Sequence, residues 1–378
     1  MHPFAIKTDV YEYDKAFRAY KNLSNEKRNG SIVNHTFLNK LQNQGLLNDD
    51  KRVTLVADIA CGEGDTIIRY LKGIKFKSGL DIRGLDNNFN FIGSGVSLNQ
   101  NILHDEKVPP IYHNLSNAYR DQTIPLKNFQ IAFGDLLKSD VAQLLYTKEE
   151  ITQSMNRFRL VYLIHGMYYL SFPHKNGRFG VTNLLDSIVT DLLTDDGIAL
   201  LFHSSLKVNG NVALSYFIRN HIKNFIPTDE EYRMLSADSL IRYSCHRLGI
   251  NCYDVPYTSA IRFSNNFKMY VDIFRNPSRY HELHDNTEAL QDLQMILFLG
   301  HRSPNDLFMD RSPRGLQNLL DILVEKLDEE GSLKIYSCMQ IILSKKASSE
   351  MRQKVEKVVE ECRNLFSQIS PEKIISML

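Results

Sequence analysis

The chain has 378 residues, of which 43% are hydrophobic and 24% are charged. These proportions are ordinary for a globular protein, and the length is enough for a core that buries itself. The 45 basic and 44 acidic side chains leave a formal net charge of +1. Because proteins built to hold nucleic acid usually carry a clear basic excess, this balance argues against a nucleic-acid partner.

The five cysteines are odd in number and widely scattered, so they fit neither a disulfide framework nor a zinc site. The N-terminal residues lack the charged and apolar regions of a signal peptide, and no apolar run approaches the length of a membrane span. We therefore expect a soluble, cytoplasmic monomer with no bound metal and no membrane partner.

Helical periodicity covers residues 1–50, where Tyr13, Phe17 and Tyr20 recur at helical spacing. A strand at 54–59 ends in a glycine-bearing turn at 61–65, which leads into a helix at 66–71. A second strand at 79–85 ends at Asp86, and a helical pattern resumes over 89–102. Residues 104–127 contain three prolines and predict a surface loop.

Further strands are predicted at 129–133, 160–165 and 198–203, with a helix at 182–193 and a turn at 195–197 before the last of them. Strands that alternate with helices predict a mostly parallel α/β sheet with helices on both faces. Beyond residue 205 the alternation is less regular, with a helix ending at 248, a strand at 251–261, a helix near 290–299 and a strand at 333–343.

The tail from residue 349 has an amphipathic stripe, and we expect this helix to pack on its own domain. The chain is thus expected to comprise a helical N-terminal cap at 1–50 and a core at 51–205. The remainder of the core, with an irregular elaboration, follows at 206–345, and the C-terminal helix occupies 346–378.

Glycine and carboxylate residues follow the first two predicted strands. Asp58 begins a strand-to-helix turn that contains Gly62 and Gly64, and glycines let the backbone approach a ligand closely. Asp86 ends the next strand, where a carboxylate can accept hydrogen bonds from both ribose hydroxyls of a nucleoside cofactor. Asn87 follows it directly and is included in the same site.

The next two strands end in residues that fit the same ligand. Gly134 and Asp135 end the third strand, where an adenine amino group would need an acceptor, and the backbone of Ile164 can line the floor of the site. Ligands of open parallel sheets bind beyond the carboxyl ends of the strands. The four strand ends therefore predict one nucleoside-binding site.

The glycine pattern indicates which nucleoside cofactor this is. The nicotinamide fingerprint has a third glycine at the position that Ile67 occupies, and a pyrophosphate would face the acidic side chains of Glu63 and Asp65. S-adenosylmethionine carries a cationic sulfonium and an amine and has no phosphate. The sequence therefore favours the methyl donor over a dinucleotide, and a dehydrogenase is a poor alternative.

The turn from Asp58 to Asp65 resembles the glycine motif of class I S-adenosylmethionine-dependent methyltransferases, with Ala60 where glycine is commoner. Residues 164–170, Ile-His-Gly-Met-Tyr-Tyr-Leu, resemble the Ile-Gln-x-x-Tyr-Tyr segment of the histamine N-methyltransferase family, as do the N-terminal aromatic residues and Glu26. The likeness extends over about residues 10–345. It implies a Rossmann-like methyltransferase fold with a mostly parallel seven-stranded sheet.

The resemblance also implies roles for single residues. Gly62, Asp86 and the backbone of Ile164 should contact S-adenosylmethionine, and Glu26 should meet the amine or ring of the substrate. His165 stands where the family has glutamine, and Ser337 where it has a substrate-binding asparagine. Glu26 or His165 is expected to accept the released proton. Aromatic faces that could stabilise a cationic acceptor belong to Tyr13, Phe17, Tyr20, Tyr168 and Tyr169.

The expected reaction is methyl transfer to a nitrogen of a small amine or imidazole. Two alternatives stay open: methylation of a protein side chain or an oxygen nucleophile by the same core, and a scaffold that binds the donor without catalysis. Aromatic residues at helical spacing are also typical of a core, and Glu26 lies in a polar stretch where a solvated charge is common.

Overall fold

A computed structural model describes residues 10–47, 51–92, 95–97, 108–136, 140–146, 158–166, 180–204, 207–208, 211–212, 237–300 and 314–369. The strands are β1 (Thr54–Ile59), β2 (Leu80–Asp86), β3 (Gly95–Ser97), β4 (Leu126–Phe133), β5 (Phe158–Ile164), β6 (Leu193–Ser204), β7 (Lys207–Val208), β8 (Asn211–Val212), β9 (Cys252–Arg262) and β10 (Ser332–Leu343).

The helices that precede residue 200 are α1 (Val10–Leu23), α2 (Glu26–Asn43), α3 (Asp65–Leu71), α4 (Phe89–Ile92), α5 (Pro110–Arg120), α6 (Val141–Leu145) and α7 (Gly180–Ser187), which continues as a π-helical turn at Ile188–Leu192. Those that follow are α8 (Ala237–Leu248), α9 (Phe267–Phe274), α10 (Thr287–Gly300), α11 (Arg314–Lys326) and α12 (Ser349–Phe366), with a 3₁₀ helix at Pro277–Leu283.

The main sheet has the strand order β3-β4-β2-β1-β5-β6-β10-β9. Strands β4, β2, β1, β5 and β6 run parallel, whereas β10 is antiparallel to both β6 and β9. Seven of the strands form the mostly parallel, Rossmann-like sheet that the sequence predicts. The eighth, β3, is a three-residue strand added antiparallel to β4 at the edge.

Both faces of the sheet are covered, as the continuous apolar strands require. Successive residues of β1 point to opposite sides, so that Val56 joins one hydrophobic cluster with α2, α3, α5 and α12, while Ala57 joins another with α7 and α8. A third cluster unites α9, α10 and α11 with the end of β9 near Ile261 and with Tyr20 of α1. Helices α9, α10 and α11 of this cluster all follow residue 205 in the chain.

The turn between α1 and α2 is anchored on β9. The backbone N–H of Asn25 donates to the carbonyl of Ala260 at 3.0 Å, and the Asn25 side chain accepts from the Ala260 N–H at 2.7 Å. Ser24 forms an isolated antiparallel bridge with Ile261. These bonds hold the first residues of α2, Glu26 and Lys27, over the sheet.

The C-terminal helix α12 packs against β9 and α2, as the amphipathic stripe predicts. Its buried residues include Met351, Val355, Val358 and Cys362. Ser348 caps the helix by accepting a hydrogen bond from the N–H of Met351 at 3.1 Å.

Three predictions about local structure are wrong. The predicted loop at 104–127 contains α5, since Pro110 lies at the start of that helix, where its missing N–H has no partner to lose. Of the helix predicted over 89–102, the described residues form the four-residue α4 and then strand β3. The turn predicted at 195–197 is an irregularity within β6, where the register against β5 shifts between Phe158 and Leu160.

Candidate functional site

The carboxyl ends of β1, β2 and β5 lie side by side, and the glycine-bearing turn leaves the sheet between them. Backbone φ angles are +60° at Ala60, +55° at Gly62 and +73° at Gly64, so this turn uses the left-handed conformation repeatedly. A Cβ on Gly62 would meet nothing within 4 Å, whereas one on Gly64 would lie 2.9 Å from Ile111. Gly62 therefore faces open space, and Gly64 allows close packing on α5.

Asp86 ties this turn to the end of β2. One of its carboxylate oxygens accepts the N–H of Gly62 at 2.8 Å, and the other accepts the N–H of Asn88 at 2.8 Å. Burial raises the pKa of Asp86, and backbone hydrogen bonds from Gly62, Asn88 and Asn87 oppose the rise. Each oxygen retains further acceptor capacity, because a carboxylate has about four acceptor sites. The Asn87 side chain is exposed beside it.

Asp58 is a second buried carboxylate at the end of β1. Its pKa is raised well above the ordinary value by burial first and by the charge of Asp86 second, while Lys27 acts in the opposite direction. Two neighbouring carboxylates with raised pKa values indicate a region that attracts a cation.

The Gly134–Asp135 segment is held at the same edge, since the N–H of Gly134 donates to the carbonyl of Asp86 at 2.9 Å. A Cβ on Gly134 would collide with Leu144, so this glycine permits close packing of α6. Asp135 is partly exposed. Ile164 is the last residue of β5, and the following N–H, that of His165, donates to the carbonyl of Phe202 at 2.8 Å.

The acidic side chains of the turn are paired with a lysine from helix α1. The ammonium of Lys21 on α1 lies 2.6 Å from Glu63 Oε2 and 3.2 Å from Asp65 Oδ2. Arg18 approaches Glu63 at 4.0 Å and is largely exposed. The positive charge of Lys21 thus largely offsets the negative charge of Glu63 and Asp65. The same ion pairs attach α1 to the turn.

A buried carboxylate, Glu26, lies across from this turn. Its Oε1 accepts hydrogen bonds from the hydroxyls of Ser337 and Ser204, the latter at 3.3 Å. These serines are directly paired in the register of β10 and β6, so both side chains reach the same oxygen. Burial raises the pKa of Glu26 to about 7, although both serine hydrogen bonds and nearby His203 and Lys27 act to lower it.

His165 stands next to Glu26, with its Nε2 3.9 Å from Glu26 Oε2. That distance is too long for a hydrogen bond, and among the described residues Nε2 has no hydrogen-bond partner. Burial lowers the pKa of His165 to about 3, and Lys27 and His203 add to the effect. The imidazole is therefore neutral at physiological pH. Its backbone φ of +59° is an uncommon conformation that turns the chain sharply after β5.

Aromatic rings border Glu26 and His165. Tyr20 stacks on Phe298 of α10 with ring centroids 4.6 Å apart and meets the ring of His165 edge-on at 6.3 Å. Phe17 stacks on Tyr20 at 6.3 Å and tilts against Phe91 at 6.5 Å. In the described part of the chain, the buried hydroxyl of Tyr20 has no hydrogen-bond partner. A buried hydroxyl without a partner is uncommon in folded proteins, and a bound ligand is one group that could satisfy it.

Of the predicted acceptor residues, the structure brings Glu26, His165, Ser337, Tyr20 and Phe17 together. Tyr168 and Tyr169 lie outside the described residues, as does the side chain of Tyr13, whose backbone belongs to α1.

Three further residues of this region were not predicted. Phe298 and Ser204 give no signal in the sequence, because only the packing of α10 and the register of β6 place them here. The third is Lys27, whose position in the first turn of a helix, next to Glu26, is an unusual one for a cation.

Among the residues that the structure describes, no group of three or more histidine, cysteine or acidic side chains is arranged to hold a metal ion. None of the described helices is long and apolar enough to cross a membrane.

No family model matches the sequence, and no curated protein matches it either. Among solved structures, the chain is similar to the YcgJ protein of Bacillus subtilis, with 13% identity over 82% of this chain and 98% of that chain and a TM-score of 0.39. It is also similar to the plantazolicin methyltransferase BamL, solved with a triazolic desmethylPZN analog and SAH, with 15% identity, coverage of 88% and 91% and a TM-score of 0.36.

A third similar structure is phosphoethanolamine N-methyltransferase 2 of Haemonchus contortus in complex with S-adenosyl-L-methionine. The identity is 12%, the coverage is 80% of this chain and 52% of that chain, and the TM-score is 0.33. At such identities and TM-scores, these similarities carry no information about substrate.

Proposed function

We propose that this protein is an S-adenosylmethionine-dependent methyltransferase that acts on a nitrogen of a small amine or an imidazole-type acceptor, in the manner of histamine N-methyltransferase. The observation that carries the proposal is the position of Asp86. Its carboxylate is fixed at the end of β2 by the N–H groups of Gly62 and Asn88, beside the open side of Gly62. A nucleoside ribose fits such a carboxylate through its two hydroxyls.

The residues around Asp86 fit the methyl donor. The space that a Cβ on Gly62 would enter is free, and the two neighbouring carboxyl groups of Asp58 and Asp86 suit a cationic sulfonium and an amine. The proposed donor site comprises Asp58, Gly62, Gly64, Asp86, Asn87, Gly134, Asp135 and Ile164. When bound, S-adenosylmethionine supplies a methyl group on a positively charged sulfur, and its thioether product leaves without needing a proton.

The chain's own contribution is mainly to hold an uncharged nitrogen in line with that methyl group. Orientation of this kind can contribute about 7–11 kcal/mol to the lowering of a barrier. The proposed acceptor site comprises Tyr13, Phe17, Tyr20, Glu26, His165, Tyr168, Tyr169 and Ser337. An aromatic face contributes roughly 0.5–2 kcal/mol to binding a cationic acceptor or product.

Glu26 is the proposed proton acceptor. Its pKa of about 7 lies near physiological pH, so the carboxylate can take a proton from the acceptor nitrogen and release it again. The neutral imidazole of His165, with no hydrogen bond to Nε2 from any described residue, can accept a hydrogen bond from the substrate nitrogen, but its pKa of about 3 makes it a much weaker base than Glu26.

Calorimetric titration with S-adenosylmethionine tests the donor site. We expect the wild type to bind the donor and not NAD, and Asp86→Ala to bind it at least about 100-fold more weakly, because two hydrogen bonds to a charged acceptor are lost. Asp121→Ala, a change at an exposed aspartate remote from the turn, is the matched control. A wild type that binds neither ligand would contradict the proposal.

A panel of amines and imidazoles then tests the reaction. Glu26→Gln should reduce kcat by 10²- to 10⁴-fold, the usual contribution of general-base catalysis. Unchanged activity in that variant would remove Glu26 from the mechanism. Donor binding without product on small amines, imidazoles, peptides or hydroxyl acceptors would favour the scaffold over the enzyme, and product only on peptides or hydroxyl acceptors would correct the acceptor class.

A further inference from the structure

Lys27 lies between the glycine-bearing turn and the Glu26 region. Its ammonium donates to the hydroxyl of Thr66, the second residue of α3, at 2.8 Å, and lies 4.6 Å from the centre of the Phe17 ring. Lys27 influences the pKa values of Asp58 and Asp65 on one side and of Glu26 and His165 on the other. It is therefore the cation at the centre of the proposed site.

No carboxylate oxygen of the described chain lies within 4.0 Å of this ammonium, in contrast to Lys21, which contacts both Glu63 and Asp65. An ammonium has three N–H donors, and Thr66 accepts only one of them. A lysine in the first turn of a helix also lies at the positive end of the helix dipole, which disfavours its charge. Neither helix formation nor an ion pair within the described chain explains why a positively charged side chain stands at this position.

Lys27 lies at the boundary between protein and solvent. Its side chain is partly exposed, yet burial lowers its pKa to about 8 despite the attraction of Asp65. A side chain that is largely surrounded by protein while it still touches water can reach a ligand that arrives from solvent. The two N–H donors that Thr66 does not accept suit an anionic group of a ligand, and charge-assisted hydrogen bonds are stronger than neutral ones.

We propose that Lys27 binds the α-carboxylate of the methyl donor's amino-acid part. The inference rests on the proposed function and names one more residue of the same donor site. The donor is favoured over an anionic acceptor because Lys27 contacts Thr66, immediately after the glycine-bearing turn, and because the amino-acid part is a zwitterion. Its amine suits the buried carboxylate of Asp58, and its carboxylate suits the nearby ammonium of Lys27.

The test is a calorimetric comparison of S-adenosylmethionine with decarboxylated S-adenosylmethionine, which keeps the sulfonium and the amine. Lys27→Met keeps most of the aliphatic stem and removes the charge, and Lys27→Arg keeps the charge. Arg28→Met makes the same charge change one residue along α2 at an exposed side chain and is the matched control. Thermal unfolding midpoints of all variants confirm that each one folds.

We expect the wild type to bind S-adenosylmethionine about 10- to 100-fold more tightly than the decarboxylated ligand, as for a charge-assisted hydrogen bond of about 1.5–3 kcal/mol. Lys27→Met should weaken the binding of S-adenosylmethionine by that factor and leave the binding of the decarboxylated ligand unchanged. Lys27→Arg should retain most of the preference, and Arg28→Met should retain all of it.

Two results with a donor-binding wild type would overturn the inference. Equal weakening of both ligands in Lys27→Met would mean that Lys27 supports the turn through Thr66 and does not contact the carboxylate. Unchanged binding of S-adenosylmethionine would mean that the donor's carboxylate lies elsewhere. A wild type that binds neither ligand would overturn the proposed function as well, so failure of the donor site and failure of the Lys27 assignment give different results.

Discussion

A Cβ on Gly166 would lie 2.7 Å from the Cβ of Ala60. Ala60 has a φ of +60°, which places its methyl group where the chain turns away from β1, and Gly166 follows the equally sharp turn at His165 after β5. The two turns that border the proposed site can approach each other only because one of them has no side chain. This relationship links the glycine-bearing turn to the position of His165.

Ala60→Gly should stabilise the fold by up to about 1 kcal/mol. An L-residue in the left-handed region costs roughly 1–2 kcal/mol, and the greater flexibility of glycine in the unfolded chain returns part of that gain. Gly166→Ala should destabilise by about 1–3 kcal/mol, because the new methyl would also lie 2.8 Å from Leu163.

A double-mutant cycle in urea unfolding checks both changes. Gly166→Ala should be less harmful in the Ala60→Gly background, since one of its two collisions is removed. Additive effects, within about 0.5 kcal/mol, would show that the two turns do not interact.

Lys21→Met should reduce the free energy of unfolding by about 1 kcal/mol, because the ion pairs with Glu63 and Asp65 attach α1 to the turn. Side-chain exposure at Lys21 is 18%, against 66% at Arg18, which approaches the same Glu63. Arg18→Met is therefore the control and should change stability by less than about 0.5 kcal/mol. At roughly 0.5 M salt, the difference in the free energy of unfolding between Lys21→Met and wild type should be smaller, because salt screens the ion pairs.

The same ion pairs predict an alkaline effect. Burial acts to lower the pKa of Lys21, but attraction to Asp65 and Glu63 outweighs it and raises the pKa above its ordinary value of 10.5. A raised lysine pKa means that the stabilisation is complete below 10.5 and is lost as the pH rises through the folded value. The stability difference between wild type and Lys21→Met should thus shrink above pH 10.5 and stay constant between pH 7 and 9, roughly.

Glu26 predicts a pH dependence of the same sign in a lower pH range. Its folded pKa of about 7 exceeds the ordinary 4.5, so the folded chain keeps a proton that the unfolded chain releases between these values. The free energy of unfolding should therefore fall as the pH rises from 4.5 to 7, by about 3 kcal/mol at roughly 1.4 kcal/mol per unit, and then level off.

The glutamine in Glu26→Gln cannot ionise, so the free energy of unfolding of this variant should lack the decrease that Glu26 causes. His165 has a lowered pKa of about 3 and acts in the opposite direction below its ordinary 6.5, but its contribution is common to both proteins. The difference between wild type and Glu26→Gln, measured by urea unfolding at several pH values, isolates Glu26. A difference that is the same at pH 4.5 and pH 7.5, roughly, would mean that the carboxyl ionises normally in the folded chain.

Val358→Ala should destabilise the protein by about 2 kcal/mol, since Val358 is fully buried where α12 packs on β9 and α2. Glu360→Ala, at an exposed position of the same helix, should change stability by less than about 0.5 kcal/mol. An equally small effect at Val358 would show that α12 is detached in solution and available to a partner.

Elements with a clear local pattern of apolar residues can be predicted from the sequence alone. The apolar run at 54–59 is β1 with the predicted bounds, and the stripe after residue 349 is α12. A continuous apolar run predicts a buried strand and a helical stripe predicts an amphipathic helix, so each of these elements can be recognised from its own residues. Helix α5 was not predicted because a proline such as Pro110 is typical of loops as well as of helix starts. Strand β3 was not predicted because three residues are too few to show a hydrophobic pattern.

The chemistry of the site depends on contacts that exist only in the tertiary structure. Glu26, Ser204 and Ser337 meet because β10 lies antiparallel between β6 and β9, which a mostly parallel pattern does not foretell. The acids of the turn are paired with Lys21, while Lys27 keeps donors for a ligand. A sequence shows which side chains carry charge, but a pKa or an ion pair depends on distance and burial, and these exist only once remote segments pack together.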